Sequence, residues 1–283
     1  MRLPALPRKK PSRMAEMKGS SQDGATRYAR PRHRVERLRA ILNLTDPEST
    51  TAVDELASAL SVSSATVRRD LAQLASQGLV LRSHGGAVRV DRGYELPIRY
   101  RETSQAAEKR RIGQAAAALV EDGAVVGFTG GTTTMEVSRA LATRRDLTVV
   151  TNALNIGAEL ALRPNIRLVV TGGMARSASF ELSGPAAERT IQDYNIDLAF
   201  IGVDGVDSNS GCTTHNDSEA LTNAALVRRA ARVVVVADHT KLGQVKFVKI
   251  CDIDAVDLIV TDSGASEAQL APFGAAHIEV KLA

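Results

Sequence analysis

The spacing of apolar residues in the first third of the chain predicts three short helices followed by a β-hairpin. Apolar residues recur three to four positions apart in three segments, residues 33–44, 53–60 and 64–77. Ser63 or Ser64 is a suitable N-cap for the third helix, and Gly78 is placed to end it. Two apolar runs, residues 79–82 and 87–90, enclose a His-Gly-Gly turn and predict a tight hairpin.

Beyond residue 104 the pattern changes to apolar runs that alternate with helical segments. An alanine-rich helix is predicted from residue 104 to about residue 120. Six apolar runs predict β-strands at residues 124–128, 147–150, 166–171, 198–203, 233–237 and 258–261. Helical periodicity predicts helices near residues 133–143, 153–162, 185–193 and 217–230. Strands that are apolar on both faces and alternate with helices indicate an α/β fold with a mostly parallel sheet covered on both sides.

The length of 283 residues is sufficient for about two domains. Four segments are predicted: a disordered basic arm over residues 1–31, a winged helix-turn-helix domain over 32–90, a polar linker over 91–103 and an α/β domain over 104–283. The arm is interpreted from its Pro, Gly and basic residues, which show neither a helical nor a strand period. It either touches phosphates or is a dispensable extension.

Charge is distributed unevenly between the two predicted domains. Residues 1–93 carry 17 Lys and Arg against 9 Asp and Glu, whereas residues 94–283 carry 19 against 23. Such asymmetry indicates a polyanion-binding module joined to a module with a different task. No apolar run approaches the ~20 residues of a membrane span, and we expect no secretory signal. Because the two cysteines lie in unrelated contexts, we expect a cytoplasmic protein without a metal site or cofactor.

The third helix and the hairpin carry the polar residues that a winged helix-turn-helix domain uses on DNA. A helix fits the major groove with its N-terminal residues near base edges and its apolar face on the protein core. Arg68 and Arg69 project about 100° apart, so one can address a base and the other a phosphate. The candidate DNA contacts are Ser63, Ser64, Thr66, Arg68, Arg69, Gln73, Arg82, His84 and Arg89. The two adjacent arginines alone would also fit a solvated helix face.

Polar residues follow the predicted strands of the second domain, which is where α/β sheets bind ligands. The first strand leads through a Thr-Gly-Gly-Thr-Thr-Thr run into a helix, and the glycines let backbone N–H groups approach a phosphate. The candidate effector-binding residues are Gly130, Gly131, Thr132, Thr133, Thr134, Asn152, Asp204, Asp207, Glu219 and Lys241. Carboxylates and amides suit sugar hydroxyls, and Lys241 suits a phosphate. Structural roles stay open, such as a turn at Asp204 and Asp207.

Two runs are specific enough to indicate a family. Residues 62–71 read Val-Ser-Ser-Ala-Thr-Val-Arg-Arg-Asp-Leu, and residues 78–87 read Gly-Leu-Val-Leu-Arg-Ser-His-Gly-Gly-Ala. Together they resemble the operator-binding head of the DeoR family of bacterial transcriptional regulators. The likeness extends from about residue 33 onward, and it implies that the second domain senses a phosphorylated sugar or a related metabolite.

The sensor domain of this family is in turn similar to ribose-5-phosphate isomerase. Asp204, Asp207, Glu219 and Lys241 lie in segments that match the isomerase active site, and residues 131–133 match its phosphate loop. The isomerase pattern also places a catalytic lysine in the loop before the glutamate, whereas residues 209–218 contain no lysine. This departure argues against enolisation chemistry and leaves ligand binding intact.

The sequence therefore predicts a transcriptional repressor, not an enzyme, that binds a double-stranded DNA operator and responds to a phosphorylated sugar or polyol effector. Paired half-sites imply a homo-oligomer, either a dimer or a tetramer. Two alternatives stay open: an isomerase-like enzyme fused to a DNA-binding head, and a structural DNA binder without a ligand. No membrane partner is expected.

Overall fold

The computed structural model describes residues 34–46, 49–83, 85–90 and 96–283. The basic arm predicted over residues 1–31 and His84 of the hairpin turn lie outside the described residues. Within the described ranges, no helix is long and apolar enough to cross a membrane. In the same ranges, no group of three or more His, Cys, Asp and Glu side chains is placed to hold a metal ion.

The N-terminal unit consists of helices packed beside a small antiparallel sheet. Its elements are α1 (Arg34–Leu44), β1 (Thr51–Ala52), α2 (Val53–Leu60), α3 (Ser64–Ser76), β2 (Val80–Ser83) and β3 (Gly86–Arg89). The predicted helices agree with the structure to within one residue, and each predicted hairpin strand is displaced by one residue. The two-residue β1, which the sequence did not predict, pairs with β3 and gives the order β1-β3-β2. The winged helix-turn-helix architecture is thereby confirmed.

Apolar side chains on one face hold α3 against the other two helices. Val67, Leu71 and Leu74 are buried in one cluster with residues of α1 and α2. Ser63 caps the helix, since its hydroxyl oxygen accepts the Thr66 backbone N–H at 3.2 Å. The opposite face of α3 is left exposed to solvent.

One buried carboxylate joins α3 to α1. Asp70 is 1% exposed, and Arg37 Nε donates to its Oδ2 at 2.6 Å. The more exposed Arg34 approaches Oδ1 at 3.4 Å. A buried charge is tolerated only when it is paired, so these contacts fix how α3 lies on the rest of the unit.

The hairpin of β2 and β3, which is the wing of this domain, requires glycine where its backbone closely approaches that of β1. A Cβ atom at Gly86 would lie 2.4 Å from the carbonyl oxygen of Thr51, the first residue of β1. Any larger residue at this position would therefore separate β3 from β1. The second glycine of the His-Gly-Gly run thus has a packing role in the sheet.

The described part of the predicted linker contains a helical turn with a buried face. This turn, α4 (Ile98–Arg101), follows Pro97. Ile98 and Tyr100 are each 1% exposed, and Tyr100 packs in the apolar core of the N-terminal unit. The segment predicted as a polar linker over residues 91–103 therefore holds a buried anchor between the two units.

The C-terminal unit is an α/β domain. Its elements are α5 (Ala106–Ala117), β4 (Val125–Phe128), α6 (Thr132–Ala140), β5 (Leu147–Thr151), α7 (Leu154–Leu160), β6 (Ile166–Val170), β7 (Met174–Ala175), β8 (Leu182–Ser183), α8 (Pro185–Gln192), β9 (Ile196–Ile201), β10 (Gly205–Asp207), β11 (Gly211–Thr214), α9 (Asp217–Arg229), β12 (Ala230–Val236), β13 (Val248–Cys251), β14 (Leu258–Thr261), α10 (Glu267–Ala275) and β15 (Glu279–Leu282). Two 3-10 turns, His239–Lys241 and Ile253–Ala255, lie between these elements.

Seven strands form the central sheet in the order β15-β14-β12-β9-β4-β5-β6, and every neighbouring pair is parallel. Buried aliphatic clusters cover both faces of this sheet, and the rings of Phe128 and Phe200 stack 5.3 Å apart on one of them. The predicted α/β fold with a mostly parallel sheet is confirmed. The sequence did not predict α10, β15 or the short antiparallel strands β7, β8, β10, β11 and β13.

We expect Arg37→Ala to destabilise the N-terminal unit by about 3 kcal/mol, because it leaves the buried Asp70 carboxylate without its closest partner. Arg34→Ala is the matched control and should cost less than about 1 kcal/mol, since Arg34 is largely exposed. Urea unfolding of the two variants measures both values. Equal losses in the two variants would contradict the role given to Arg37.

Candidate functional site

A cleft opens at the carboxyl ends of three adjacent strands of the central sheet. The loops that follow β4, β9 and β12 line it. These loops converge because the carboxyl ends of parallel strands meet at one edge of the sheet. The rest of the lining comes from outside the central sheet: Ser104, Arg101 of α4, Lys109 of α5, Glu181, Thr214, and Glu219 and Asn223 of α9.

The loop between β4 and α6 is shaped to accept an anion. Gly131 is the N-cap of α6 and has φ +141°, a conformation that favours glycine. A Cβ atom at Gly130 would lie 2.4 Å from the Glu181 side chain, so the backbone approaches this carboxylate closely. The first N–H groups of a helix have no intrahelical acceptor, and the positive end of the helix dipole favours negative charge. This loop therefore offers a phosphate-sized anion a set of backbone donors.

Three cationic side chains, Arg101, Lys109 and Lys241, line the same cleft. Lys109 is 4% exposed; its Nζ donates to the Arg101 carbonyl oxygen at 2.9 Å and lies 4.0 Å from Asp238 Oδ2. Burial lowers the pKa of Lys109 to about 8; the Asp238 carboxylate acts against this shift, and the nearby Lys241 and Arg101 add to it. A bound anion would favour the charged form of this amine.

Asp204 is a buried carboxylate that cations keep ionised. Its Oδ1 accepts from Arg101 Nη1 at 3.0 Å and lies 3.9 Å from Lys241 Nζ. Its Oδ2 accepts the Thr214 hydroxyl at 3.0 Å. Burial pushes the pKa of Asp204 upward, but Arg101, Lys241, His215 and the Thr214 hydroxyl together outweigh this effect, so the pKa lies below its ordinary value.

Further carboxylates and amides of the cleft are bound to one another or to cations. Glu219 is 2% exposed; its Oε1 accepts the Ser179 hydroxyl and, at 2.9 Å, Arg176 Nη1. Glu181 accepts Asn152 Nδ2 at 3.3 Å, and the same nitrogen lies 3.1 Å from Asn223 Oδ1. The cleft thus combines hydrogen-bond donors for an anion with oxygen atoms that can accept hydrogen bonds from the hydroxyl groups of a ligand.

The structure brings most of the predicted effector-binding residues together. Those that line the cleft are Gly130, Gly131, Thr132, Thr133, Asp204, Glu219 and Lys241. Thr134 instead donates its hydroxyl to the Gly131 carbonyl at 3.0 Å, and Asn152 lies behind Glu181. Asp207 is not among the residues that line the cleft, and its Oδ1 accepts the backbone N–H groups of Asn209 and Ser210 at 3.0 and 2.9 Å. It shapes the turn between β10 and β11, which is the structural role left open for it.

The ten candidates did not include several cleft residues, namely Arg101, Ser104, Lys109, Glu181, Thr214, Asn223, Asp238 and Thr240, although Asp238 and Thr240 lie in the segment that follows the predicted strand 233–237. Arg101, Ser104 and Lys109 do not follow a strand, so the strand-end pattern could not find them. Lys109 had a detectable signal: it is spaced three and seven residues before the buried Ile112 and Ala116, which places a lysine on the apolar face of α5.

The predicted DNA contacts fall on α3 and on the wing. Arg68, Arg69 and Arg82 are exposed. The hydroxyls of Ser63, Ser64 and Thr66 form hydrogen bonds around the start of α3, and Gln73 is partly buried. Arg89 donates from Nη1 to the Leu42 carbonyl at 3.4 Å, a contact within the N-terminal unit. His84 lies outside the described residues.

Two family models match the chain, one for each unit. The model described as “DeoR-like helix-turn-helix domain” matches residues 37–92. The model described as “DeoR C terminal sensor domain” matches residues 104–263.

Relatives match over most of both chains. The HTH-type transcriptional regulator GlpR of Haloferax volcanii is 40% identical over 229 residues, which cover 81% of this chain and 89% of that protein. The glycerol-3-phosphate regulon repressor of Escherichia coli is 31% identical over 248 residues, which cover 88% and 98%. Among solved structures, ribose 5-phosphate isomerase A from Methanocaldococcus jannaschii overlaps 49% of this chain and 55% of its own, with 22% identity and a TM-score of 0.37. The chain belongs to the DeoR family of helix-turn-helix transcriptional regulators, with a DNA-binding head and a C-terminal sensor domain.

Proposed function

We propose that this regulator is a repressor whose cleft binds a phosphorylated sugar or polyol, and that this effector weakens binding of the head to its operator. The effector assignment rests on one observation. At the carboxyl ends of β4, β9 and β12, the N-terminus of α6 shares a cleft with cationic side chains, buried carboxylates and one amide.

The lining of the cleft favours a ligand with one anionic group and several hydroxyls. The three cations and the first turn of α6 supply donors for a phosphate. The carboxylates of Asp204, Glu219, Glu181 and Asp238 would repel an extended polyanion, but they accept hydrogen bonds from hydroxyl groups. A phosphomonoester of a small sugar or polyol has both kinds of group. The Escherichia coli relative is named for glycerol 3-phosphate, so sn-glycerol 3-phosphate is the first compound to test.

The exposed face of α3 supports recognition of an operator through the major groove. Arg68 and Arg69 lie within the first two turns of a helix whose apolar face is buried, so they are free to reach bases and phosphates. Arg82 adds positive charge on the wing. Phosphate contacts of this kind predict an affinity that falls steeply as salt rises.

We also propose how the two functions are divided along the chain. We assign residues 32–90 to operator binding and residues 104–283 to effector sensing; the matches over residues 37–92 and 104–263 support this division. Paired operator half-sites would be met by a dimer or tetramer in the cytoplasm. Isomerase chemistry is less well supported, because residues 209–218 contain no lysine and Glu219 is already paired with Arg176.

We expect Arg68→Ala or Arg69→Ala to weaken operator binding about 5- to 100-fold, the range expected for the loss of one base or phosphate contact. Arg232→Ala is the matched control, since it removes an exposed arginine from the C-terminal unit. Fluorescence anisotropy with promoter duplex and random duplex, at a fixed salt concentration near 0.15 M, measures the change. Unchanged affinity in both head variants would contradict the role given to α3.

We expect a panel of sugar and polyol phosphates to contain a compound that raises the melting temperature, because a ligand at 100 times its Kd adds about 2.7 kcal/mol. Lys241→Met should weaken binding of that compound at least about tenfold, as expected for loss of a charged hydrogen bond. The exposed Lys249→Met variant is the control. Turnover of a phosphosugar by the full-length protein would favour the enzyme alternative, and no stabilisation by any compound would favour a DNA binder without a ligand.

We expect effector affinity to fall by up to about tenfold between pH 7 and pH 9, because Lys109 has a pKa of about 8 and loses its charge in this window. A phosphomonoester has its second pKa near 6, so the ligand stays dianionic throughout. Lys109→Met should bind more weakly at pH 7 and show no such pH dependence. Arg111→Met on the same helix should retain it, and calorimetric titration at the two pH values distinguishes the variants.

A further inference from the structure

We infer that α4 transmits effector binding to the recognition helix α3, with Arg101 exchanging Asp204 for the effector and Tyr100 carrying the displacement into the head. This inference rests on the proposed function, and it names the route by which the cleft regulates operator binding. It is supported by two sets of contacts that α4 makes, one with the N-terminal unit and one with the cleft.

The first set of contacts joins α4 to the end of α3. The Tyr100 hydroxyl donates to Gln77 Oε1 at 2.6 Å, and Gln77 is the C-cap residue of α3. The Tyr100 ring is 1% exposed and packs in the head core. Any displacement of this ring therefore changes both the core of the head and the support of the recognition helix.

The second set of contacts joins α4 to the cleft. Arg101 Nη1 donates to Asp204 Oδ1 at 3.0 Å, and the Arg101 carbonyl accepts from Lys109 Nζ at 2.9 Å. Both partners line the cleft, and so does Arg101 itself. A third contact crosses between the units nearby, where Arg39 Nη2 of α1 donates to the Ser104 hydroxyl at 2.7 Å. The chain from α4 to Ser104 is thus in contact with the head and with the effector cleft.

The shortness of α4 makes the two sets of contacts mechanically dependent. Tyr100 and Arg101 are consecutive residues, so they project about 100° apart from one helical turn. There is no intervening chain between them to absorb a movement. The α4 backbone is also held at its start, where the Ile98 N–H donates to the Ala178 carbonyl at 2.7 Å. In the inferred route, a change of partner at Arg101 rotates α4 about this attachment and so moves the Tyr100 ring.

The charges of the cleft make an exchange at Arg101 feasible. A guanidinium binds a phosphate through two parallel hydrogen bonds, so a phosphorylated effector competes with Asp204 for Arg101. Asp204 does not become an isolated buried charge when Arg101 leaves, since Lys241 lies 3.9 Å away and Thr214 donates at 3.0 Å. In this scheme the paired arrangement of Arg101 and Asp204 is the operator-binding form.

The experiment measures operator affinity of the full-length protein without any ligand. Arg101→Met should weaken operator binding at least about fivefold, the lower end of common allosteric couplings, because it releases α4 from the cleft. Asp204→Asn should act in the same direction, because it weakens the same ion pair without altering Arg101 itself. Arg110→Met, an exposed arginine of α5, is the control for the change in net charge. Melting temperatures show whether each variant is folded.

A double-mutant cycle tests the route through Tyr100. If Arg101 acts through this residue, Tyr100→Phe combined with Arg101→Met should weaken operator binding no more than the stronger single variant does. Fully additive effects, or an Arg101→Met variant within about twofold of the wild type, would overturn the inference.

A ligand measurement separates this inference from the proposed function. The probes are inorganic phosphate and the panel compound that raises the melting temperature most, compared at constant ionic strength. Tyr100→Phe should still be stabilised by the panel compound, whereas its operator affinity should respond less to that compound than the affinity of the wild type does, because the hydrogen bond to Gln77 is lost. Full retention of the ligand response in Tyr100→Phe would overturn the inference alone. Failure of the wild type to bind any operator, or any panel compound, would overturn the proposed function as well.

Discussion

Burial of charge is the constraint around which the C-terminal unit is arranged. Asp204, Glu219 and Lys109 are each at most 6% exposed, and an ion in such a position is tolerated only with compensating partners. Those partners come from distant parts of the chain: α4, the turn between β7 and β8, and the segment after β12. The pairing holds these side chains in place, so the charged groups of the cleft keep fixed positions until a ligand replaces one of their partners.

The parallel sheet explains where this charge accumulates. Its apolar faces are covered by helices, and its strands leave polar loops only at their ends. The loops after β4, β9 and β12 are neighbours because these strands are neighbours. α5 then brings Lys109 to the same edge, and α4 precedes α5 directly in the chain. The segment that joins the two units is therefore forced past the cleft by the order of elements along the chain.

Periodicity and local signals were sufficient to predict the head and the central strands. Residues close in sequence specify the N-cap of α3, the glycines of the hairpin turn, and the strands that are apolar on both faces. The strand-end pattern also predicted seven of the residues that line the cleft, because it depends on a general property of parallel sheets. It placed Asp207 in the cleft wrongly on the same grounds, since a carboxylate after a strand can equally shape the next turn.

The contacts that depend on tertiary packing could not be predicted in this way. α4 is too short for a helical period, and its buried Tyr100 is recognisable only once the head core is seen. Strands of two or three residues, such as β1 and β10, are fixed by their partners rather than by their own sequence. Arg101 and Lys109 reach the cleft from segments that carry no ligand-binding motif. These two residues nevertheless connect the cleft to α4, the segment that joins the two units.

A cleft whose cations and carboxylates are already paired is better suited to sensing than to catalysis. A general base must be available to take a proton from a substrate, whereas Glu219 Oε1 already accepts two hydrogen bonds and Asp204 is bound to a guanidinium. Ligand binding does not require an unoccupied base. The phosphate and hydroxyl groups of a ligand can take the place of the carboxylates and hydroxyls that now pair with the cleft residues. A ligand shifts a conformational equilibrium only through its different affinity for the two states. Arg101 is both a cleft residue and part of α4. Its change of partner from Asp204 to the ligand therefore makes the ligand's affinity depend on the position of α4, at the junction between sensor and head.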